Sequence, residues 1–232
     1  MAHKVAVIIA AGGRGRRMGK SLPKQFLPLA GVPILRRTIT LFDALPEVRE
    51  IIVVAPHGHI RRVKRLAERA HLRKKWSVVS GGKERQHSVW NGLRRVSESM
   101  TLILVHDAVR PLVTAKTVHA VIRAAQEYGA AVAALPLKDT VKLEGEKGFF
   151  TSTLKREGLW AVQTPQGFKK ELLIKAHRSA QRKNFIGTDD SSLVERLHVP
   201  VRIVPGESRN LKITTADDLG VATIFAKSAR KR

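Results

Sequence analysis

Apolar residues in this chain gather in short runs, and each run is followed by a stretch with helical spacing. Residues 5–11 (VAVIIAA), 51–55 (IIVVA), 76–79 (WSVV), 102–105 (LILV) and 130–135 (AAVAAL) read as buried strands. Between them, Val63, Leu66, Ala67 and Ala70 form an apolar stripe within a basic helix spanning about 61–75. Val89, Leu93 and Val96 share one face of a helix at 89–96, and residues 118–128 continue the pattern. Near-continuous apolar strands alternating with helices predict an α/β fold, a mainly parallel sheet with helices on both faces.

The pattern breaks at 137–158, where the chain turns polar and carries glycine. Residues 140–143 and 149–154 are candidate strands, joined by a turn around 142–148. This predicts a protruding β-hairpin arm with too little core to stand alone. Two readings stay open for it: it lies on another subunit, or it is a mobile surface hairpin. The α/β pattern then resumes, with helices at 170–182 and 189–197, a strand at 199–204 and a short strand at 211–213. Thr215 is placed to cap a last helix that begins with Asp217 and Asp218. There is no internal repeat and no linker, so residues 1–232 read as a single domain with the arm at about 137–158.

Composition narrows the class. Hydrophobic residues make up 43% of the chain, enough for a proper core, yet no apolar run approaches the roughly 18 residues of a membrane span. Lys4 precedes an apolar stretch that is too short for a secretory leader and that leads into arginines. With no cysteine there is no disulfide, thiolate metal site or cysteine nucleophile, and the expected compartment is the cytoplasm. The formal charge of +24 is extreme and favours anionic ligands. Part of it sits at Arg61, Arg62, Lys64, Arg65, Arg69, Arg73, Lys74 and Lys75, opposed only by Glu68. That segment is either a solvated helix face or a surface for nucleic acid. Aromatic residues at 5%, with one tyrosine, offer little base stacking and make any nucleic-acid contact non-specific.

The first strand opens into Gly12-Gly13-Arg14-Gly15-Arg16-Arg17-Met18-Gly19-Lys20, followed by Pro23-Lys24-Gln25. Glycines after a buried strand let backbone N–H groups approach an anion, and the surrounding cations suit a nucleoside triphosphate. The loop is not a Walker loop, because the required first glycine falls on Arg14. Nor is it a dinucleotide fingerprint, whose last glycine is here Met18. The second candidate constellation, 106–111 (HDAVRP), follows the strand at 102–105. Ligands of open α/β sheets bind at the carboxyl ends of strands, so Asp107 meets the triphosphate there. It reads either as a carboxylate ligand of Mg²⁺ or as a turn cap and partner of Arg110. His106 reads as a packed histidine, and His57-Gly58-His59 lacks further metal partners nearby.

Five ordered motifs resemble one family. These are A-A-G-G-x-G-x-R-M at 10–18, P-K-Q at 23–25, G-G-x-x-R-x-x-S-V-x-N-G-L at 81–93, V-H-D-A-x-R-P at 105–111 and T-P-Q at 164–166. Together they are similar to the 2-C-methyl-D-erythritol 4-phosphate cytidylyltransferases of the non-mevalonate isoprenoid pathway. The resemblance implies a Rossmann-like nucleotidyltransferase, CTP and a divalent cation such as Mg²⁺, and a homodimer whose arms reach the partner's site. Carried over by motif, Arg17 and Lys24 stabilise the transition state, and Asp107 holds the metal. Arg156, Lys212, Thr140, Arg110, Thr164 and Thr188 position the polyol phosphate. Ala11, Gly12, Gly82 and Ser88 lie near the cytidine, beside the loop glycines Gly13 and Gly15. Lys83-Glu84 falls in a variable part of the cytidine loop. The length leaves no room for the fused cyclase of a later pathway step. A cytidylyltransferase for another polyol phosphate, such as ribitol 5-phosphate, would share most of these features, and a basic nucleic-acid-binding protein is the rival from a different class.

Overall fold

The structure, a computed structural model, describes residues 4–12 and 22–228. The chain begins with β1 (Val5–Ala10), then a short 3-10 turn at Lys24–Phe26 and a small hairpin, β2 (Pro28–Leu29) and β3 (Val32–Pro33). There follow α1 (Ile34–Ala44), β4 (Val48–Ala55), α2 (Ile60–Glu68), β5 (Lys75–Ser80), α3 (Arg85–Leu93), β6 (Leu102–Asp107), α4 (Ala115–Tyr128) and β7 (Ala130–Pro136). The arm is β8 (Lys142–Glu144) and β9 (Phe150–Thr153). The chain continues with β10 (Trp160–Lys169), α5 (Lys170–Arg182), α6 (Asp190–Glu195), β11 (Arg202–Pro205) and α7 (Ala216–Ser228).

Seven strands form one sheet in the order β11-β7-β10-β6-β1-β4-β5. All neighbours are parallel except β10, which runs antiparallel to both β6 and β7. The period of two along β1 divides the core. Val5, Val7 and Ile9 meet Leu35, Ile39, Val63 and Val118 from α1, α2 and α4. Ala6 and Ile8 meet Val89, Leu93, Leu173 and Leu193 from α3, α5 and α6. Helices therefore cover both faces, as expected from the apolar runs. A third cluster ties α7, through Ala222 and Ala226, to Leu29 and Ile34.

Several boundaries differ from the expectation. The basic helix stops at Glu68, with His71 at φ 49, so 70–74 is a turn and not a further helical stretch. The helix expected at 89–96 is α3 at Arg85–Leu93, and the late strand begins at Arg202. Residues 211–213 form no strand; Ile213 N instead donates to Val109 O, and the segment runs irregularly beside β6. The cap at Thr215 is present. Its Oγ1 accepts from Asp218 N while the Asp218 carboxylate accepts from Thr215 N, two orphan donors satisfied reciprocally. The arm is a hairpin, rooted where Leu137 N donates to Leu159 O, and it leaves Phe149 73% and Phe150 71% exposed.

Candidate active site

Asp107 ends β6, paired in register with Ala10 at the end of β1. It is buried, and its carboxylate gathers cations from three parts of the chain. Arg85, the first residue of α3, places Nε 3.3 Å from Oδ1. Lys212, from the irregular segment before α7, places Nζ 2.8 Å from Oδ2. Arg110, in the turn after β6, places Nε 3.9 Å from Oδ2. Burial pushes the Asp107 carboxyl up, but Arg85, Lys212 and Arg110 together hold it well below the usual carboxylate range. It is therefore an ionised acceptor at neutral pH. The turn-partner reading is correct in kind, although Arg85 and Lys212 stand closer than Arg110.

A second carboxylate shares Arg85. Asp190, the first residue of α6, places Oδ2 2.6 Å from Arg85 Nη1 and Oδ1 3.3 Å from His177 Nε2. Burial lowers the Arg85 pKa, and Asp190 and Asp107 more than offset that, so it stays above the ordinary arginine value. The guanidinium thus bridges two acids and fixes α3 against α6. The motif at 81–93 contains Arg85, but the sequence reading gives it no role. Its only signal there is an arginine three residues after a glycine pair at the sheet's carboxyl end.

β10 supplies the other wall. Thr164 Oγ1 accepts from Asp107 N at 3.1 Å and lies 3.1 Å from His106 Nδ1, while Arg110 O lies 3.1 Å from His106 Nε2. His106 is fully buried and edge-on to Phe42, so it packs and does not ligate. Burial pushes its pKa down to about 4. Asn210 holds the far side: its Nδ2 donates to Thr164 O at 2.8 Å and its backbone carbonyl accepts from Arg110 Nη1 at 2.6 Å. Arg110 Nε is buried without a hydrogen bond and sits 3.9 Å from Asp107 Oδ2, so its charge is directed at that carboxylate. Arg85, Asp107, Arg110, Thr164, Thr188 and Lys212 all line one cleft of about 380 Å³.

Across the ends of β1, β4 and β5 lies a wall of small residues. Gly82 N donates to Ser88 Oγ at 3.0 Å, and Gly81 N donates to Ala55 O at 2.8 Å. A Cβ on Gly12 would meet Ser88 Oγ at 3.1 Å, and one on Gly82 would meet His87 Cβ at 2.5 Å. Position 82 therefore requires glycine, while at position 12 a larger residue would press on the Ser88 hydroxyl. Gln25 Nε2 donates to Ala11 O at 2.6 Å, so the turn carrying Lys24 is anchored to the end of β1.

The structure thus brings Asp107, Arg110, Thr164, Thr188 and Lys212 into one cleft, and Ala11, Gly12, Gly82 and Ser88 into the adjoining wall. Arg17, Gly13 and Gly15 lie outside the described residues. Thr140 and Arg156 are exposed on the arm and do not line the cleft; Arg156 Nη1 donates instead to Lys138 O at 2.7 Å. Among the described residues, no group of three or more His, Cys, Asp or Glu side chains could hold a metal ion. A hard divalent cation bound through phosphates needs only one or two protein carboxylates, however, and ionised Asp107 fits that limited demand. No helix among the described residues is long and apolar enough to cross a membrane.

Comparison with known proteins extends these observations. The family model for 2-C-methyl-D-erythritol 4-phosphate cytidylyltransferase matches residues 5–228. A protein of that name from Pelotomaculum thermopropionicum is 44% identical over 230 residues, covering 99% of this chain and 97% of the relative. One from Syntrophus aciditrophicus is 44% identical over 233 residues and covers both chains fully, at 100% each. Among solved structures, 4-diphosphocytidyl-2C-methyl-D-erythritol synthase from Anaerococcus prevotii superposes with a TM-score of 0.85 at 28% identity, covering 98% of this chain and 100% of that one. The cytidylyltransferase from Thermus thermophilus gives 0.81 at 36% identity, covering 97% and 99%.

Proposed function

This chain belongs to the 2-C-methyl-D-erythritol 4-phosphate cytidylyltransferase family, and from that membership we propose how its residues carry out the family's reaction. The enzyme transfers a cytidylyl group from CTP to 2-C-methyl-D-erythritol 4-phosphate. The products are 4-diphosphocytidyl-2-C-methyl-D-erythritol, an isoprenoid precursor, and pyrophosphate.

A phosphate oxygen of methylerythritol phosphate forms a bond to the α-phosphorus of CTP, and the bond from that phosphorus to the β-phosphate oxygen breaks. The nucleophile is already an anion, so no general base is needed. The barrier is repulsion between anions and the charge that builds on the α-phosphate and leaving group, and catalysis is therefore positioning and electrostatic stabilisation. Arg17 and Lys24 supply positive charge to the α-phosphate. Arg110 and Lys212 receive the methylerythritol phosphate, alongside Thr164 and Thr188 in the same cleft. Ala11, Gly12, Gly82 and Ser88 border the cytidine, where a Cβ at position 12 or 82 would crowd Ser88 or His87.

Mg²⁺ or a similar cation would be held by Asp107, with its remaining ligands from the triphosphate. When bound it would offset charge on the phosphates. Two such chains form a homodimer, in which Arg156 and Thr140 on one arm serve the cleft of the other. The exposed Phe149 and Phe150 and the absence of Thr140 and Arg156 from the lining of the chain's own cleft support this reading. On the same reading the enzyme works in the cytoplasm, where CTP is available.

The observation that carries the reading is the convergence of Arg85, Arg110 and Lys212 on Asp107 beside a glycine wall at the carboxyl ends of the strands. The test is pyrophosphate release with Mg²⁺, each nucleoside triphosphate in turn, and either methylerythritol 4-phosphate or ribitol 5-phosphate. Release is expected with CTP and methylerythritol 4-phosphate alone. Faster release with ribitol 5-phosphate would reassign the acceptor.

A further inference from the structure

A second cavity, of about 560 Å³, lies between α1 and α2 and shares no lining residue with the Asp107 cleft. Four arginines face it: Arg36 from α1, and Arg62, Arg65 and Arg69 from one side of α2 and its end, at the i, i+3, i+7 spacing that stacks side chains along a helix. Its apolar floor includes Phe26 and Leu66. No acidic residue is among its described lining, and none of the four guanidiniums has a carboxylate partner among the described residues.

Two of the four arginines make contacts within the protein. Arg62 lies over the Phe26 ring with its guanidinium carbon 4.8 Å from the centroid. Arg36 Nη2 donates to Arg69 O at 3.1 Å, which ties α1 to the end of α2. A solvated basic face spreads its charges outward. Here Arg36 is half-buried and Arg62, Arg65 and Arg69 are exposed, but all four border one concavity, and two of them contact neighbouring groups, so an anion entering it would offset several like charges at once. Guanidinium forks match phosphate oxygens, and four of them exceed what a single phosphate can engage. The volume suits a small molecule, not a strand of nucleic acid, which needs an extended basic track with successive aromatic platforms.

We propose that this cavity is a second polyphosphate-binding site, distinct from the catalytic cleft, that takes a small di- or triphosphate anion with its phosphates among Arg36, Arg62, Arg65 and Arg69. The motif that first suggested a basic helix face is, on this reading, a built receptor on one side of α2.

Inorganic tripolyphosphate is the probe, titrated calorimetrically into the full chain at near-physiological salt. The intact protein binds one more equivalent than R36Q/R65Q does, or binds it at least about tenfold more tightly, as expected for lost charge-assisted hydrogen bonds. R36Q/R65Q keeps its turnover and its KM for CTP and methylerythritol phosphate, which also shows that it is folded. R94Q/R95Q, an equal loss of charge just beyond α3, retains both stoichiometry and affinity. Unchanged tripolyphosphate binding in R36Q/R65Q would overturn the proposal, as would an equal loss in R94Q/R95Q. Displacement of tripolyphosphate by oligonucleotides with affinity rising steadily with length would also overturn it, by assigning the face to nucleic acid. None of these outcomes bears on the cytidylyl transfer, which the pyrophosphate assay tests separately.

Discussion

Lys212 Nζ stands 2.8 Å from Asp107 Oδ2, joining an irregular C-terminal segment to the end of the central strand β6. The lysine is partly exposed at the cleft while the carboxylate is buried, so the ammonium can turn from Asp107 to an incoming phosphate. Lys212→Met removes one charge-assisted contact, of about 1.5–3 kcal/mol. The expected result is a fall in kcat/KM for methylerythritol phosphate of about tenfold to a hundredfold, with KM for CTP nearly unchanged. Steady-state kinetics with each substrate varied in turn checks this. A defect confined to CTP would remove Lys212 from the polyol phosphate subsite.

Arg85 is the structural counterpart of that contact. Arg85→Ala leaves Asp190 buried with only His177 beside it and Asp107 without its Oδ1 partner. Removing one member of a buried pair costs about 3–5 kcal/mol, to be read from urea unfolding at pH 7. Both carboxylates are held below their ordinary range, so the stability they contribute is present above about pH 4 and is lost as pH falls below it. The gap between wild type and Arg85→Ala therefore narrows in acid. A constant gap from pH 7 down to pH 3 would contradict the ion-pair account.

His106 titrates in the same direction for a different reason. Its folded pKa is pushed down to about 4 by burial, from an ordinary value of 6.5, so the unfolded chain binds a proton that the folded chain refuses. Stability from this group is complete above pH 6.5 and declines as pH falls toward 4, by up to about 3 kcal/mol. His106→Gln, which lacks a titrating ring, should show a shallower loss over that window. In NMR titrations the His106 ring should stay neutral at about pH 5.5, and a midpoint near 6.5 would refute the burial argument.

The arm yields a test of assembly. Phe149→Ser with Phe150→Ser removes two exposed rings from the hairpin tip. On the proposed homodimer, sedimentation should show the wild type as a dimer and the double variant as a monomer at the same concentration. Mixed dimers of Lys24→Ala and Arg156→Ala chains should regain part of the activity that each lacks alone, because one of the two clefts then has both an intact loop and an intact arm. No recovery in verified mixed dimers would place Arg156 outside the partner's site.

The sheet is legible in the sequence wherever a strand is buried on both faces, because β1, β4, β6 and β7 are almost unbroken apolar runs. β10 is not legible, although it occupies the middle of the sheet. Its sequence, WAVQTPQGFK, contains Gln163, Thr164 and Gln166, which are buried but satisfied by Asn210, Glu207, Asp189 and the backbones of Asp107, Asp190 and Ser191. Polar residues with distant partners cannot be distinguished from loop residues by periodicity. The same limit hides Asp190 and Asn210, whose partners come from far along the chain. Asp107 and Arg110 can be found because motif order stands in for the missing spatial information, whereas Lys212 lies outside the five motifs and enters only through the family resemblance.

The hairpin leaves β7 at Pro136 and returns to β10 at Trp160, and those two residues face each other as neighbours in the sheet. Its two stems are thus stitched together at the base, and everything between them hangs outside the main core. Such a layout makes the arm a detachable cassette. Descendants or engineers can exchange it for a loop of another length and shape while the central sheet stays closed, so whatever the arm contributes under the proposed dimer can diverge without disturbing the cleft around Asp107.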